Sequence, residues 1–465
     1  MGFDFLDWGF PKSGTDWKSI NGKPFITVSA KGRSNGLSTK INDGADFGPD
    51  TTLNASLPNQ TGPPYTQTLG IVEAGNSIGV GNYGHIHLLK GYFSITAPIN
   101  FIGQAFIELS GEGINNSIIQ LSPSLQGTTP SNFNAFIYFN INSADPPVPF
   151  YKSGLHFHDF TFDYNNVSFS SGFASVGMMF NAYNSNNTIG KIEYNHIQFM
   201  NQVLSGATGG TNIRDSGNGG FYTFISIHDN NFINVIGDVI EVTHPSLIAH
   251  NTFYNGLANN PMITILPQGS TVYNNMFEVT NNLYIDTRTG SGYSGPGFFI
   301  ALYFVGNNNT IANVNIHDNI VIGTPQSFLG YTDYNTGQTG NIAIGKIKNN
   351  FFVSSYSGSS FIQGTTTANL SQLILEHNNG YIPTVSTPTV PASGIAQQNT
   401  NQYPVNVYLY GGAVTEIQIT RNGTANTVFS NATGIALSGQ NFELEPSDSI
   451  TITYTAAPSW TWLSG

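Results

Sequence analysis

One phrase returns along this chain and limits what the chain can fold into. "ISIHDNNFINV" (225–235) places two asparagines inside a run of apolar, β-forming residues. Strands disfavour Asn, and a simple hairpin would need Asn-Gly at its turn. The underlying pattern, apolar-x-x-Asn-x-apolar, recurs as "IEYNHIQF", "IHDNNF", "IAHNTF", "VYNNMF", "IHDNIV", "IKNNFF" and, more weakly, "LEHNNG".

The spacing of these copies indicates a solenoid. The gaps run from 21 residues upward, and the longer gaps contain Gly-rich insertions. A repeat of this length is typical of stacked structural units, and the segments between copies alternate with the period of two that strands show. The sequence therefore predicts an all-β coil of short parallel strands with about ten rungs.

The repeated asparagines are expected to build this coil and to do no chemistry. A tight bend between two strands needs a left-handed backbone, which Asn tolerates better than other non-glycine residues. Each side-chain amide would then bond the equivalent amide one rung away. The predicted ladder consists of Asn195, Asn230, Asn251, Asn275, Asn319 and Asn350.

These repeats resemble the right-handed parallel β-helix of the pectin-lyase-like superfamily, which includes pectate lyases, polygalacturonases and phage tailspikes. The stretch "TLGIVEAGNSIGVGNYGHIHLLKGYFSI" (68–95) looks like the entry to such a coil, with a short capping helix, a Gly-containing turn and a first rung. The resemblance implies this fold for about residues 65–385. It says little about activity, because many activities occur on the fold.

The chain divides into four predicted parts. Residues 1–64 read as an irregular N-terminal segment, and residues 65–385 as the β-helix with its capping helix. The Pro-, Thr- and Ser-rich stretch within 386–404 reads as a linker. Residues 405–465 are short alternating strands separated by turns, which predicts a small antiparallel β-sandwich.

Composition narrows the choice of partners. Only 9% of the residues are charged, against roughly 25% in an average soluble domain, and the net charge is −12. Nucleic-acid binding needs basic clusters, and a membrane span needs about 18 apolar residues in a row, so neither partner is expected. With no cysteine, no basic leader and an uncharged polar surface, an extracellular or virion-surface location is expected.

Candidate site residues lie where the third strand of each rung forms a groove. Alternation in "DVIEV" points Glu241 outward, with Thr264 and Tyr303 expected to stack above it, Asp238 before the strand and His244 after it. Two long insertions, 205–220 and 280–297, flank this strand. They carry the predicted Asp–Arg pairs Arg214 with Asp215 and Asp286 with Arg288, together with Tyr293.

The same residues admit two chemical roles. Glu241, Asp238, Asp215 and Asp286 are candidate catalytic carboxyls, and the remaining groove residues are candidate contacts for a saccharide. Glycosidases place two carboxyls ~5–9.5 Å apart, whereas Asp238 and Glu241 lie roughly 10 Å apart by strand rise alone. The "GDVIEV" stretch resembles a polygalacturonase region, but the adjacent Asp pair, the Gly-His-Gly and the Arg-Ile-Lys of that family are absent.

No cofactor is expected from the residues, although the resemblance would imply Ca²⁺ if the protein were a lyase. Three His-Asp pairs, at His158, His228 and His317, suggest metal ligands at first sight. The column that contains them also contains Tyr194, Asn274 and Asn349, which favours a solvated edge over a metal site.

Two functions remain open. The first is a tailspike-like attachment protein that recognises glycans and assembles as a homo-oligomer, for which the resemblance suggests a trimer. The second is a secreted polysaccharide lyase or glycoside hydrolase that acts in the groove.

Overall fold

The computed structural model shows a parallel β-helix followed by an antiparallel sheet. It describes residues 25–30, 45–49, 66–128, 135–141, 154–169, 176–182, 191–203, 210–215, 224–256, 261–267, 276–287, 297–304, 309–333, 340–354, 359–364, 373–381, 385–401 and 403–464.

Each turn of the coil adds one strand to each of three parallel faces, called here face 1, face 2 and face 3. Strands β1 to β27 belong to the coil and β28 to β32 follow it. Face 1 contains β1 (Phe25–Val28), β2 (Tyr83–Leu88), β5 (Phe106–Gly111), β12 (Ile225–His228), β15 (Ser246–Ala249), β18 (Met276–Thr280), β21 (Asn309–His317), β24 (Gly340–Lys348) and β27 (Leu373–Glu376). Face 2 contains β3 (Gly91–Ile95), β6 (Ser117–Leu121), β13 (Asn231–Ile233), β16 (Thr252–Tyr254), β19 (Leu283–Ile285), β22 (Ile320–Gly323) and β25 (Phe351–Ser354).

Two longer strands run across faces 1 and 2 without a break, β8 (Gly154–Asp163) and β10 (Lys191–Met200). Face 3 is a separate nine-stranded parallel sheet. It contains β4 (Ile99–Ile102), β7 (Ile137–Ile141), β9 (Val176–Ala182), β11 (Thr211–Asp215), β14 (Ile240–Val242), β17 (Ile263–Ile265), β20 (Phe298–Phe304), β23 (Ser327–Asp333) and β26 (Ser360–Gly364). The predicted right-handed parallel β-helix is therefore confirmed, including the third strands read from the sequence.

Apolar side chains stack along the inside of the coil. On face 2, the rings of Phe199, Phe232 and Phe253 lie on successive rungs with centroids 5.0 and 4.9 Å apart. This separation equals the spacing of neighbouring strands, so identical residues at one register position stack ring on ring. All three side chains are fully buried.

The predicted capping helix closes the first rung. Helix α1 (Ile71–Ile78) buries Ile71, Val72 and Ile78 against the end of the core. A side chain at Gly75 would come within 2.7 Å of the Phe101 ring, so glycine permits the close approach of helix and core. The N-terminal segment is not wholly irregular, because β1 pairs with β2 and extends face 1 by one strand.

The asparagine ladder exists, but its membership differs from the sequence prediction. Each Oδ1 accepts the backbone N–H and the Nδ2–H of the asparagine one rung earlier, at 2.9–3.1 Å. The members are Asn230, Asn251, Asn282, Asn319, Asn350 and Asn378.

Two predicted ladder residues are therefore replaced. Asn275 lies outside the described residues, and Asn282 stands between Asn251 and Asn319. Asn195 lies in β10 opposite His228, and its amide oxygen contacts His156 Nε2 at 3.1 Å, so it is not part of the ladder. On that rung Ile197 takes the ladder position and donates its N–H to Asn230 Oδ1.

The left-handed residue of each bend is the one before the ladder asparagine, which also corrects the sequence prediction. These residues are Asp229, His250, Asn281, Asp318, Asn349 and His377, with φ between 49° and 57°. The ladder asparagine itself follows the bend, and its side chain turns inward, where it is almost completely buried. Short polar residues at the bend relieve the backbone strain, and the next residue supplies the amide.

The C-terminal unit is one antiparallel sheet that bends over itself. Its strands are β28 (Ala396–Gln398), β29 (Val405–Arg421), β30 (Thr424–Leu444), β31 (Ser449–Ala456) and β32 (Ser459–Ser464). The two long strands bend where their register shifts, near Gly411 and Gly412, whose φ values are 66° and 72°. The bent sheet encloses a separate core that includes Leu409, Trp460 and Trp462.

The predicted linker lies against this sheet. Trp460 Nε1 donates to the Pro388 carbonyl at 2.6 Å, and Trp462 N donates to Thr387 Oγ1 at 3.0 Å. Strand β28 pairs with β31. Within the described residues, no helix has the length and apolar character needed to cross a membrane.

Candidate active site

The outer surface of face 3 presents one column of side chains in exact cross-strand register. From the N-terminal to the C-terminal rung this column contains Asn100, Tyr138, Met179, Arg214, Glu241, Thr264, Ala301, Gly330 and Gln363. Neighbours in the column are one strand spacing apart, about 4.8 Å. Tyr303 is two residues beyond Ala301 on β20, so it does not stack above Thr264 as predicted.

Glu241 pairs with Arg214 across the β11–β14 ladder. Arg214 Nε lies 3.1 Å from Glu241 Oε1, but its N–H does not point along a hydrogen bond, and this buried nitrogen has no hydrogen-bond partner. The Arg214 side chain is 37% exposed and the Glu241 side chain 10%. Arg214 is thus the part of the pair that solvent, or a ligand, reaches first.

Thr264 links Asp238 to the rung beside Glu241. Thr264 is the cross-strand neighbour of Glu241, and its Oγ1 donates to Asp238 Oδ1 at 2.9 Å.

Burial raises the pKa of both carboxyls. It raises the pKa of Glu241 to about 7, against the attraction of Arg214, and the negative charges of Asp238 and Asp215 raise it further. Burial also raises the pKa of Asp238, opposed by the Thr264 hydrogen bond and by Arg214. Near neutral pH the Glu241 carboxyl therefore gains and loses its proton readily.

Asp215 does not pair with Arg214, contrary to the sequence prediction. Successive residues of a strand point to opposite sides, so Asp215 turns inward while Arg214 faces out. Asp215 Oδ2 lies 2.6 Å from His244 Nδ1 and accepts the Thr243 hydroxyl at 2.7 Å. Burial would raise the pKa of Asp215 and lower that of His244, but their mutual attraction reverses both directions.

Asp286 is separated from Glu241 by two rungs. It follows β19 on face 2, is buried, and accepts hydrogen bonds from the Tyr284 and Thr324 hydroxyls. It therefore fixes a corner of the coil and does not face the carboxyl pair. Arg288 and Tyr293 lie outside the described residues. The insertions predicted at 205–220 and 280–297 also contain regular strands, β11 and β19.

Sequence reasoning missed two residues, one beside the Asp215–His244 pair and one on the outer surface of face 3. Thr243 was not singled out, although both its N–H and its hydroxyl bind Asp215. Nothing in the sequence beside Val242 marks Thr243, because Asp215 lies 28 residues earlier in the chain. Phe298 was also missed; its ring covers Gly330 on the outer surface, where a side chain would come within 2.3 Å of it.

The three His-Asp pairs are not a loosely solvated edge. In each, the histidine Nδ1 lies 2.6–2.7 Å from the following aspartate, and Nε2 lies 3.0–3.1 Å from a glutamate of the preceding rung. We call these triads brackets. They are His158–Asp159–Glu108, His228–Asp229–Glu193 and His317–Asp318–Glu278. The aspartate takes the left-handed bend, which places its carboxylate beside the imidazole.

Comparison with known proteins bears on the fold alone. No family model matches the sequence, and no curated protein matches it. Among solved structures, the A-module of a mannuronan C-5 epimerase from Azotobacter vinelandii is 12% identical with a TM-score of 0.32, over 67% of this chain and 89% of that chain.

Two further solved structures are similar at the same level. A tailspike protein of an Acinetobacter baumannii bacteriophage, described as a capsular polysaccharide depolymerase, is 10% identical with a TM-score of 0.28, over 84% of this chain and 83% of that one. The catalytic domain of Agl-KA is 14% identical with a TM-score of 0.26, over 66% and 61%.

Proposed function

We propose that the chain is a surface protein that binds a polysaccharide on the outer side of face 3, with Arg214 as its principal contact. The observation that carries the proposal is the state of this arginine. It is partly exposed, and it is paired to a carboxyl whose pKa is about 7. The part of the guanidinium that reaches solvent can donate to sugar hydroxyls or to an acidic sugar group.

The rest of the column suits an extended ligand. Tyr138 and Met179 form an apolar patch on the rungs before Arg214, and Phe298 covers Gly330 three rungs beyond Glu241. Rungs are about 4.8 Å apart, so the surface from Tyr138 to Gly330 extends for roughly 29 Å. Apolar faces that alternate with a few placed polar groups are the usual composition of a saccharide-binding surface. The location, outside the cell or on a virion, and the homo-oligomeric state belong to this proposal.

The test is binding of the full chain to a panel of neutral and acidic polysaccharides. Arg214→Ala should weaken binding to the recognised glycan at least tenfold. Its matched control is Arg421→Ala, which removes an arginine paired to Asp448 on the C-terminal sheet and leaves the net charge equal. Loss of binding in Arg421→Ala with normal binding in Arg214→Ala would place the site on the C-terminal sheet and overturn the proposal.

A second candidate, cleavage of the bound polysaccharide, is favoured by one specific observation. The Glu241 pKa of about 7 suits proton transfer at neutral pH, and Thr264, the cross-strand neighbour of Glu241, holds Asp238 by a hydrogen bond. In this mechanism Arg214 binds a group of the substrate, and Glu241 donates its proton to the glycosidic oxygen as the C–O bond breaks. For hydrolysis, Asp238 takes a proton from the water whose oxygen bonds the anomeric carbon. For elimination, it takes the proton of the carbon beside a uronate carboxyl, and a C=C bond forms as the glycosidic C–O bond breaks.

Glu241→Gln separates the two candidates. An enzyme would retain binding and lose product formation by about three orders of magnitude or more, because a catalytic carboxyl has been removed. Products would be measured as new reducing ends for hydrolysis, or as the ultraviolet absorbance of an unsaturated sugar for elimination. A binding protein would show neither product before or after the substitution.

A further inference from the structure

We propose that His85, Glu108 and His158 form a binding site for one divalent transition-metal ion of the zinc class on the outer surface of face 1. The three residues lie on β2, β5 and β8, which are successive rungs near the N-terminal end of the coil. One ligand atom from each lies within 4.8 Å of the other two. Among the described residues this is the one such group of histidine and carboxylate side chains.

The two distances to Glu108 lie on either side of the separation expected of metal ligands. Glu108 Oε2 is 3.7 Å from His85 Nδ1, which is too far for a hydrogen bond, and Glu108 Oε1 is 3.1 Å from His158 Nε2. Two tetrahedral ligands with bonds of about 2.0–2.2 Å to zinc are about 3.4 Å apart, between these two values. Because the three ligand atoms already lie within 4.8 Å of one another, side-chain rotation alone would bring them to one ion.

A buried oxygen of Glu108 is a second, independent indication of a bound cation. Its side chain is 8% exposed, and its Oε2 is a buried oxygen with no hydrogen-bond partner. Leaving a buried carboxylate oxygen without a donor is costly, because neither water nor protein compensates its charge. His85 Nδ1 lies 3.7 Å from this oxygen, and an ion between the two would satisfy both.

The outer contacts of both histidines are those that metal-bound imidazoles usually make. His158 Nδ1 lies 2.6 Å from Asp159 Oδ2, and His85 Nε2 lies 2.6 Å from Ser110 Oγ. An imidazole that gives one N–H to a carboxylate or hydroxyl directs the lone pair of its other nitrogen to the metal. The Phe25 ring packs edge-on against His85 with centroids 4.8 Å apart and partly shields the site from solvent.

Two imidazoles and one carboxylate also define the class of ion. Calcium and magnesium prefer six or more oxygens, whereas zinc and its neighbours accept this mixed set. Three protein ligands leave a fourth position, open to water or to a ligand. The ion would also link three successive rungs, those of β2, β5 and β8, near the N-terminal end of the coil.

The third bracket provides the matched control. His317 has the same two contacts, with Asp318 at 2.6 Å and Glu278 at 3.0 Å, but no second histidine completes a metal-binding group there within the described residues. His317→Ala therefore removes a bracket without touching the proposed site.

The experiment is titration of the chelator-treated full chain with Zn²⁺ by calorimetry, and with Co²⁺ by visible absorption. We expect one ion per chain and the intense Co²⁺ bands of a four- or five-coordinate site. His85→Ala, His158→Ala and the isosteric Glu108→Gln should each weaken Zn²⁺ binding at least 100-fold, Asp159→Asn should weaken it 10–100-fold, and His317→Ala should leave it unchanged.

Three outcomes would overturn the proposal: no stoichiometric Zn²⁺ binding by the wild-type chain, equal effects of His158→Ala and His317→Ala, or tight binding that survives Glu108→Gln. Far-ultraviolet circular dichroism of each variant identifies any that fail to fold. Glu108→Gln keeps shape and volume, so it decides the question even if the alanine variants are unstable.

Discussion

Replacing Asn251 by alanine tests the ladder at a member that is bonded to the asparagines on both neighbouring rungs. The Asn251 Oδ1 accepts the backbone N–H and the Nδ2–H of Asn230, and its own Nδ2 donates to the Ile227 carbonyl and to Asn282 Oδ1. The side chain is completely buried, so water does not replace these bonds at no cost.

The expected destabilisation follows from counting what is left behind. The Asn230 N–H loses the acceptor that the ladder gives it, and an unsatisfied buried donor costs about 1–3 kcal/mol. The two bonds donated by Asn251 each contribute about 1 kcal/mol net. Asn230 Nδ2 keeps a bond to the Tyr194 carbonyl, so its loss is partial. The sum is a destabilisation of about 4 kcal/mol.

The measurement is the free energy of unfolding in urea, followed by far-ultraviolet circular dichroism. Asn195→Ala is the matched control, because the sequence pattern places Asn195 in the ladder whereas the structure gives its side chain one contact, with His156. We expect that control to cost no more than about 1 kcal/mol. Asn282→Ala should match Asn251→Ala. If Asn251→Ala and Asn195→Ala destabilise equally, the ladder does not carry the energy assigned to it.

Three further predictions concern acidity, the buried ion pair and the linker. Because the pKa of Glu241 is raised from 4.5 to about 7, its contribution to stability is present below pH 4.5 and is lost as the pH rises through 7. The unfolding free energy of the wild type should therefore fall relative to Glu241→Gln over that window, by at most about 3 kcal/mol, and a pH-independent difference would contradict the raised pKa. His244→Ala leaves the Asp215 carboxylate buried without its imidazole and should cost about 3–5 kcal/mol; thermal unfolding that stays unchanged would refute a structural role for this pair. Limited proteolysis should cut before residue 385 and not within 385–398, because that segment is bonded to the C-terminal sheet, and rapid cleavage inside it would show a free linker.

The coil was predictable from the sequence because the same apolar-and-asparagine pattern recurs along the chain. The identity of each ladder residue was not predictable. Both "VYNNMF" and "VTNNLYI" fit the repeated pattern, and the first was chosen although the second holds Asn282. Even spacing was the missed signal: Asn282 divides the interval from Asn251 to Asn319 into 31 and 37 residues, whereas Asn275 divides it into 24 and 44.

The partners at the site depended on register between distant strands. Arg214 and Glu241 are 27 residues apart, with strands β12 and β13 between them, so only the stacking of β11 on β14 decides their pairing. Alternation within one strand could have shown that Arg214 and Asp215 face opposite sides. The brackets were missed for the same reason, because each joins a histidine to a glutamate of the preceding rung and no local pattern contains both.

Both proposed sites arise where a chain poor in charge leaves a charged group incompletely compensated. On face 1, the second and third brackets place an imidazole between two carboxylates, and each Nε2 reaches a glutamate oxygen at 3.0 Å. The first bracket differs, because Glu108 keeps a buried oxygen without a donor. On face 3, one guanidinium faces two carboxyls. Burial and the charge of Asp238 raise the pKa of Glu241 to about 7, so this carboxyl still holds a proton part of the time near neutral pH. A polar network in which every group is bonded stabilises the coil and leaves no donor or acceptor for a ligand. A buried oxygen without a donor can instead bind a metal ion, and a carboxyl that titrates near pH 7 can exchange its proton with a bound sugar.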